Sequence, residues 1–419
     1  MLTEAQHDII RATVPVLRTH GEAISRVFYA SMFEAHPELY DIFNPVNQVN
    51  GRQQRSLAGS VLAYAANIDR LDALGAMVER ITHKHAVLEV QEEHYPIVGH
   101  HLLGAIGTVL GEAATPAILD AWSAAYDQLA GILHGQEAAI YAAEAGTPGG
   151  WTGFLPFRLD RRTPEGTEIT AFTLSPADGR VLPPFLPGQY VSVKAQPPGY
   201  PHQQIRQYSL THAPNGRFFR IAVRREDSPA AADVPAGLMS SFLYDTLEEG
   251  GTLLVHMPLG DLVLDNSDRP VVLLSGGSGI TPLLAMLDHL SSPGGGTRRV
   301  VFIHAARNPQ VMGFADEIAA MAKRRTGIGI VLVLEEDDGS LALRGETITG
   351  RISAELLRQH LPGDAEIYYC GPPGFMAAAE TALDELLVPA PRRHSETFAP
   401  DLSFGDGIDH ARPRATSVK

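Results

Sequence analysis

The six residues "AGTPGG" at 145–150 interrupt a chain of 419 residues where its texture changes, and a single layered fold cannot accommodate both sides. Glycines and a proline in succession cannot continue the helix that closes with "AAIYAAE", so the stretch reads as a linker. Up to about residue 145 the pattern is helical and rich in Ala and Leu. From Trp151 to about Leu264, short β-type runs such as "YVSVKA" and "FFRIAVRRE" are separated by Pro and Gly, the texture of an antiparallel barrel or sandwich. From Arg269 onward the buried-strand candidates "PVVLLS", "RVVFIHA", "IGIVLVLEE" and "AEIYYCG" mostly alternate with helical segments, as in a parallel sheet. The expected organisation is multidomain: all-α over 1–145, an antiparallel β-barrel over 151–264, an α/β parallel-sheet domain over 265–404, and a flexible tail of little apolar content over 405–419.

Composition narrows the partners. At 44% hydrophobic and 19% charged the chain is that of a soluble globular protein, and a formal net charge of -15 argues against nucleic acid or an anionic membrane surface. A lone cysteine, Cys370, excludes an internal disulfide framework and a cysteine-based metal cluster, and it suits a reducing compartment. There is no apolar run of bilayer length, and the start "MLTEAQHDII" has acidic residues and no apolar signal core; the expectation is a cytoplasmic protein without a transmembrane segment.

The helical segment reads as a six- or seven-helix bundle, its last helix opening with Thr115 as N-cap and Pro116 in the first turn. Within it, "ITHKHAVLEV" at 81–90 carries two histidines. His85 shares a helix face with Leu74, Met77, Val78, Ile81 and Leu88, whereas His83 neighbours Glu79 and Arg80, which suggests a solvated face. An imidazole on an apolar face either satisfies itself with one hydrogen bond or ligates a metal, and the stripe alone does not choose.

Two signals in the second half carry chemistry. In "PGQYVSV" at 187–193 and "RQYSL" at 206–210, an arginine, a tyrosine and a serine near a strand end offer phosphate pairing, a ring to stack on and a hydroxyl donor. In "PVVLLSGGSGITPLLAML" at 270–287, a strand runs through Gly276, Gly277 and Gly279 into a helix started by Thr281 and Pro282. Such a turn lets backbone approach a phosphate, although Pro282 stands where the dinucleotide fingerprint has its last glycine. "YYCGPPGFM" at 368–376 supplies a second turn at the same carboxyl edge. After "RVVFIHA" come Arg307 and Asn308, where an acid would favour a ribose 2′-hydroxyl and a guanidinium permits a 2′-phosphate; the choice between the two stays open.

In this order these stretches resemble the ferredoxin reductase-type module, over residues 151 to about 404. The resemblance implies that Tyr190, Arg206, Gln207, Tyr208 and Ser209 hold FAD, that Ser240 and Ser241 line its diphosphate, and that Gly277, Ser278, Gly279, Ile280, Thr281 and Pro282 with Cys370, Gly371 and Pro372 receive the nicotinamide nucleotide. "ETFAP" at 396–400 would bring Glu396, Thr397, Phe398, Ala399 and Pro400 to the flavin, with the ring of Phe398 over its face.

Five stretches of the helical half, "SRVFYASMF" at 25–33, "LYDIFNPVNQVNGRQQRSLAGSV" at 39–61, "HKHAVLEV" at 83–90, "EEHYPIVGHHLL" at 92–103 and "GQEAAIY" at 135–141, resemble the globin domain of flavohemoglobins. "PHQQIRQYSL" and "ETFAP" extend that resemblance over nearly the whole chain. It implies heme b held by His85 on iron, Tyr95 and Glu137 behind that imidazole, Tyr29 and Gln53 on the distal side, Leu57 over the ligand, Phe43 on the porphyrin, and Lys84 at a propionate or at Glu396. A carboxylate behind the imidazole favours oxygen activation over storage. The implied activity is an NAD(P)H-driven nitric oxide dioxygenase, taking nitric oxide and dioxygen to nitrate through FAD and heme; the expected state is a monomer or a weak oligomer. Two alternatives are a heme-linked reductase with another acceptor, such as a peroxide or ferric chelate, and a gas sensor coupled to a flavin reductase. The sequence departs from the family pattern at Thr397, where a cysteine is common, at the helix glycines Gly104 and Gly107, and in the proline-rich loop 226–237.

Overall fold

A computed structural model describes residues 2–43, 51–226, 237–341 and 345–398. Ala399, Pro400, the tail 405–419 and nearly all of the loop 226–237 lie outside the described residues, as does part of the 39–61 motif. The chain forms two compact units that part at Gly146 and Thr147, within the expected linker; the short stretch Tyr200–Ile205 counts with the first.

The first unit is helical, with α1 at Glu4–Ala35, α2 at Arg52–Ala66, α3 at Gly75–Val87, α4 at His94–Leu110 and α5 at Pro116–Gly146. Among the described residues this makes five α-helices, and α1 runs unbroken through Pro15. Thr3 starts α1 by accepting from the Gln6 backbone while the Gln6 side chain accepts from the Thr3 backbone, so two otherwise free N–H groups at the helix start are satisfied. Gly104 and Gly107 sit inside an uninterrupted α4. The core is aromatic and aliphatic, with Phe28, Tyr29, Met32, Ile106 and Trp122 buried at its centre.

The second unit holds two six-stranded sheets. Strands β1 (Phe154–Glu165), β2 (Ile169–Pro176), β3 (Tyr190–Ala195), β4 (Gln204–Ser209), β5 (Phe219–Arg224) and β6 (Thr252–His256) lie in the order β4-β3-β6-β1-β2-β5. The pairs β1–β2, β1–β6, β2–β5 and β3–β6 are antiparallel. An antiparallel bridge between Leu210 and Ile221 joins the two ends, which closes the sheet into a barrel around Phe157, Phe172 and Phe219.

Strands β7 (Val271–Gly276), β8 (Val300–Ala306), β9 (Ile328–Leu334), β10 (Glu346–Thr349), β11 (Glu366–Cys370) and β12 (Arg393–Glu396) form a fully parallel sheet in the order β10-β9-β8-β7-β11-β12. Helices α6 (Ile280–Ser291), α7 (Ala315–Arg324), α8 (Ala354–His360) and α9 (Pro373–Glu385) cover it. Alternation along β7 divides its side chains: Val271 and Leu273 face a core with α6 and α7, Val272 and Leu274 one with α8 and α9. Strand order reverses between β7 and β11, which opens a crevice at their carboxyl ends. The expected succession of all-α, antiparallel β and parallel α/β architecture is therefore borne out. Among the described residues no helix is long and apolar enough to cross a membrane.

Candidate functional site

In the helical unit three helices converge on one imidazole. His85, in the last turn of α3, presents Nδ1 at 2.8 Å from Glu137 Oε1 on α5 and at 3.3 Å from the Tyr95 hydroxyl on α4. Tyr95 donates to the same carboxylate oxygen at 2.6 Å, and Glu137 is only 1% exposed. An ionised carboxylate only accepts, so the proton of a neutral His85 ring belongs on Nδ1 and the lone pair on Nε2, the form in which imidazole binds a metal.

The buried stripe of α3 is rotated from the expected one. Met77, Val78, Thr82, Ala86 and Val87 are buried, while Ile81, His85 and Leu88 are half-buried. His85 therefore sits at the margin of the packed core with its side chain 30% exposed. His83 is half-buried as well, with Nδ1 shut off from solvent, so the expectation of a solvated face is corrected there.

Tyr29 on α1 is buried, which raises the pKa of its phenol, and a hydrogen bond with the Gln53 side chain opposes that rise. Tyr29 meets Phe43 edge-on at 5.8 Å, and half-buried Phe43 and Leu57 pack against the core. Lys84 is exposed. Burial, then the bond to Glu137, raises the pKa of Tyr95 as well. A carboxylate-backed imidazole beside half-buried apolar and aromatic side chains suits an iron porphyrin in donor type and lining.

Two positioning residues escaped the sequence. Tyr126 donates to the Tyr95 carbonyl at 2.6 Å, and Gly99 makes room for it, since a Cβ there would come within 2.6 Å of the Tyr126 ring. Neither carries a local signal, because each reads as an ordinary helix position.

In the second unit, Tyr190 is held by paired backbone bonds with Leu259, both 2.9 Å, and Gly260 approaches it so closely that a Cβ would lie 2.9 Å from its ring. Gly260, at φ +123, likewise carries no local signal in the sequence. Ser209 is buried, Arg206 and Tyr208 are half-buried, and Gln207 is exposed. Burial raises the phenol pKa of Tyr208 and nearby Arg206 opposes it. The two serines that end the short helix Leu238–Ser241 differ. Ser240 donates to the Gly237 carbonyl at 3.0 Å and accepts from the Glu226 backbone at 3.2 Å. The Ser241 Oγ is buried without a hydrogen-bond partner among the described residues, as expected of a hydroxyl that meets a ligand oxygen.

At the crevice, Gly277 has φ +51 and open space around its Cβ position, while a Cβ on Gly279 would fall 2.2 Å from the Cys370 carbonyl oxygen. The first glycine leaves room for a ligand and the second lets the turn lie against β11. Ile280, Thr281, Pro282 and Cys370 are buried, Ser278 is half-buried and Pro372 is exposed. Gly371 packs its backbone on the Phe375 ring, where a Cβ would approach to 2.4 Å.

Glu396, paired with Cys370 in the sheet, has a buried Oε2 without a hydrogen-bond partner among the described residues. Burial, with Asp261 adding repulsion, pushes its carboxyl pKa up to about 7. Burial and then Glu396 raise the Cys370 thiol. Thr397 and Phe398 are exposed, Phe398 by 49%, as befits a ring with an apolar partner still to cover.

Comparison with known proteins agrees with this architecture. Residues 26–133 match the globin family, and residues 273–381 match the oxidoreductase NAD-binding domain. The chain is 53% identical over 411 residues to a flavohemoprotein of Deinococcus radiodurans, covering 97% of this chain and 100% of that one. It is 47% identical over 405 residues to a flavohemoprotein of Bordetella pertussis, covering 95% and 98%. Among solved structures, flavohemoglobin from Malassezia yamatoensis with bound FAD and heme superposes with a TM-score of 0.81 at 29% identity, covering 95% of this chain and 100% of that one. The flavohem-like FAD/NAD-binding domain of a nitric oxide dioxygenase from Vibrio cholerae gives a TM-score of 0.50 at 33% identity, covering 58% and 98%.

Proposed function

The chain belongs to the flavohemoprotein family, an oxidoreductase fused to a globin, and from that premise we propose that it is an NAD(P)H-driven nitric oxide dioxygenase using heme b and FAD. The balanced reaction consumes one NAD(P)H, two dioxygen and two nitric oxide molecules and yields NAD(P)+, two nitrate ions and one proton. Bound FAD would divide the electron pair of a hydride into single electrons, and heme would use these to bring dioxygen to nitric oxide.

The observation that carries the proposal is the hydrogen-bonded set His85, Tyr95 and Glu137. His85 would hold the iron, and Glu137 would draw on its Nδ1 proton and make the ring more electron-donating. Tyr29, kept protonated by burial, would donate one hydrogen bond to dioxygen, with Gln53 fixing the phenol and Leu57 and Phe43 excluding water. Tyr190, Arg206, Tyr208, Ser209 and Ser241 would hold FAD, with Gln207 and Ser240 at its margin. Phe398 would cover its ring, and Glu396 would supply an exchangeable proton beside it at neutral pH. The turns at 277–282 and 370–372 would take the dinucleotide. Lys84, exposed on α3, would meet a heme propionate. The domain limits 1–145, 151–264 and 265–404, a monomeric state and a cytoplasmic location belong to the same proposal.

The test supplies purified protein with NADH, dioxygen and nitric oxide and measures nitrate. Turnover well above a heme-free control is expected, with a severe loss in Tyr29→Phe. Nitrate formation no faster than that control would refute the proposal.

A further inference from the structure

Arg307 is the first residue after β8, the second strand of the parallel sheet. From that place in an open α/β nucleotide fold a side chain reaches the ribose 2′ position, where an acid selects the hydroxyl and an arginine accepts a phosphate. Here the guanidinium is already engaged, because its NH2 group is ion-paired with Glu168 Oε1.

Glu168 comes from the turn between β1 and β2, and that turn is fastened to the segment after β8. The Thr167 backbone donates to the Gln310 carbonyl at 2.9 Å. Gly166, at φ +64, lies so close that a Cβ would stand 2.9 Å from the Gln310 carbonyl oxygen and 3.0 Å from that of Met312. The Phe314 backbone donates to Glu165 Oε2 at 3.0 Å. Three consecutive attachments thus deliver the Glu168 carboxylate to Arg307 as a fixed feature of the fold.

Further hydrogen bonds fix the segment after β8. Backbone amides of Glu335 and Glu336 donate to the carbonyls of Ala306 at 3.1 Å and Arg307 at 2.9 Å, and Asp338 accepts from the Gln310 side chain at 2.6 Å. A 2′-phosphate approaching Arg307 must displace the Glu168 carboxylate, whereas a 2′-hydroxyl can donate to Glu168 without repulsion.

We propose that Glu168 is a specificity-determining residue that masks Arg307 and turns this chain toward NADH over NADPH, an inference that rests on the dinucleotide site proposed above. The pair lies at an exposed edge, 61% and 35% exposed, so the discrimination is severalfold rather than absolute.

Calorimetric titration of the full-length protein, loaded with its cofactors, with 5′-AMP and with adenosine 2′,5′-bisphosphate reads this without turnover. The parent should bind the bisphosphate no better than 5′-AMP. Glu168→Gln should tighten the bisphosphate roughly fivefold relative to 5′-AMP, and adding Arg307→Ala should abolish that gain. A ratio of the two affinities that stays within about twofold of the parent in Glu168→Gln overturns the inference while leaving the site standing. Binding of neither nucleotide by the parent removes the site itself, and the inference with it.

Discussion

Glu137 is 1% exposed and accepts from both His85 and Tyr95, so its charge is directed at one imidazole. Glu137→Gln keeps the size and a hydrogen-bonding oxygen but loses the charge. With heme bound, the ferric–ferrous midpoint potential should rise and nitric oxide turnover should fall about ten- to a hundredfold. A spectroelectrochemical titration checks the first effect, and an unchanged potential would show that the carboxylate does not act through His85. At this scale the sequence is only partly legible. Helical spacing sets His85 apart from His83, but both prove half-buried, and the partner that defines the chemistry of His85 stands 52 residues away on a different helix. The family resemblance, not periodicity, connects the two, and neither source indicates Tyr126 or Gly99.

Among elements, the turn from β7 into α6 separates two kinds of glycine. Gly277→Ala puts a Cβ in open space at a left-handed position, which costs about 1–2 kcal/mol of backbone strain and crowds only an incoming nucleotide. Gly279→Ala forces a Cβ against the Cys370 carbonyl, and β7 and β11 must part or the helix must shift, a cost of about 1–3 kcal/mol or more. Thermal melting should therefore fall further for the Gly279 variant, while the Gly277 variant shows the larger loss of NADH affinity relative to its loss of stability. Equal melting of the two would contradict the geometry. Strands that alternate or run continuously apolar, such as β3, β5 and β7, are readable from local pattern. β1 is not, since Pro156 and Pro164 argue against an interior strand. The fold admits them by stagger: pairing with β6 covers only Phe154 to Arg158, while pairing with β2 runs from Phe157 to Glu165. Each proline therefore lies where only one neighbouring strand is registered. Pro15 is tolerated inside α1 in a similar way, overruled by a helix whose buried face runs from Ile10 to Phe33.

At the scale of the whole molecule, the break between Gly146 and Thr147 raises the question of why one chain carries both units. Electron transfer between separate proteins depends on encounter, whereas a short linker holds its ends at an effective concentration on the order of millimolar. If the proposed function is correct, fragments 1–146 and 147–419 should each keep their own chromophore. The helical fragment loses the stretch Tyr200–Ile205, whose Gln203 backbone and His202 ring reach Asp41 Oδ1 at 2.9 and 3.2 Å. These half-exposed bonds are worth about 1 kcal/mol each at most, so heme binding should survive. Mixed at about 10 μM, the fragments should reduce heme from NADH roughly a hundredfold more slowly than the intact chain, at a rate that grows with concentration. Stopped-flow absorbance in the presence of carbon monoxide would follow that step alone. Reduction in the mixture as fast as in the intact protein, and independent of concentration, would mean that the covalent fusion adds nothing to electron delivery and that its presence has another cause.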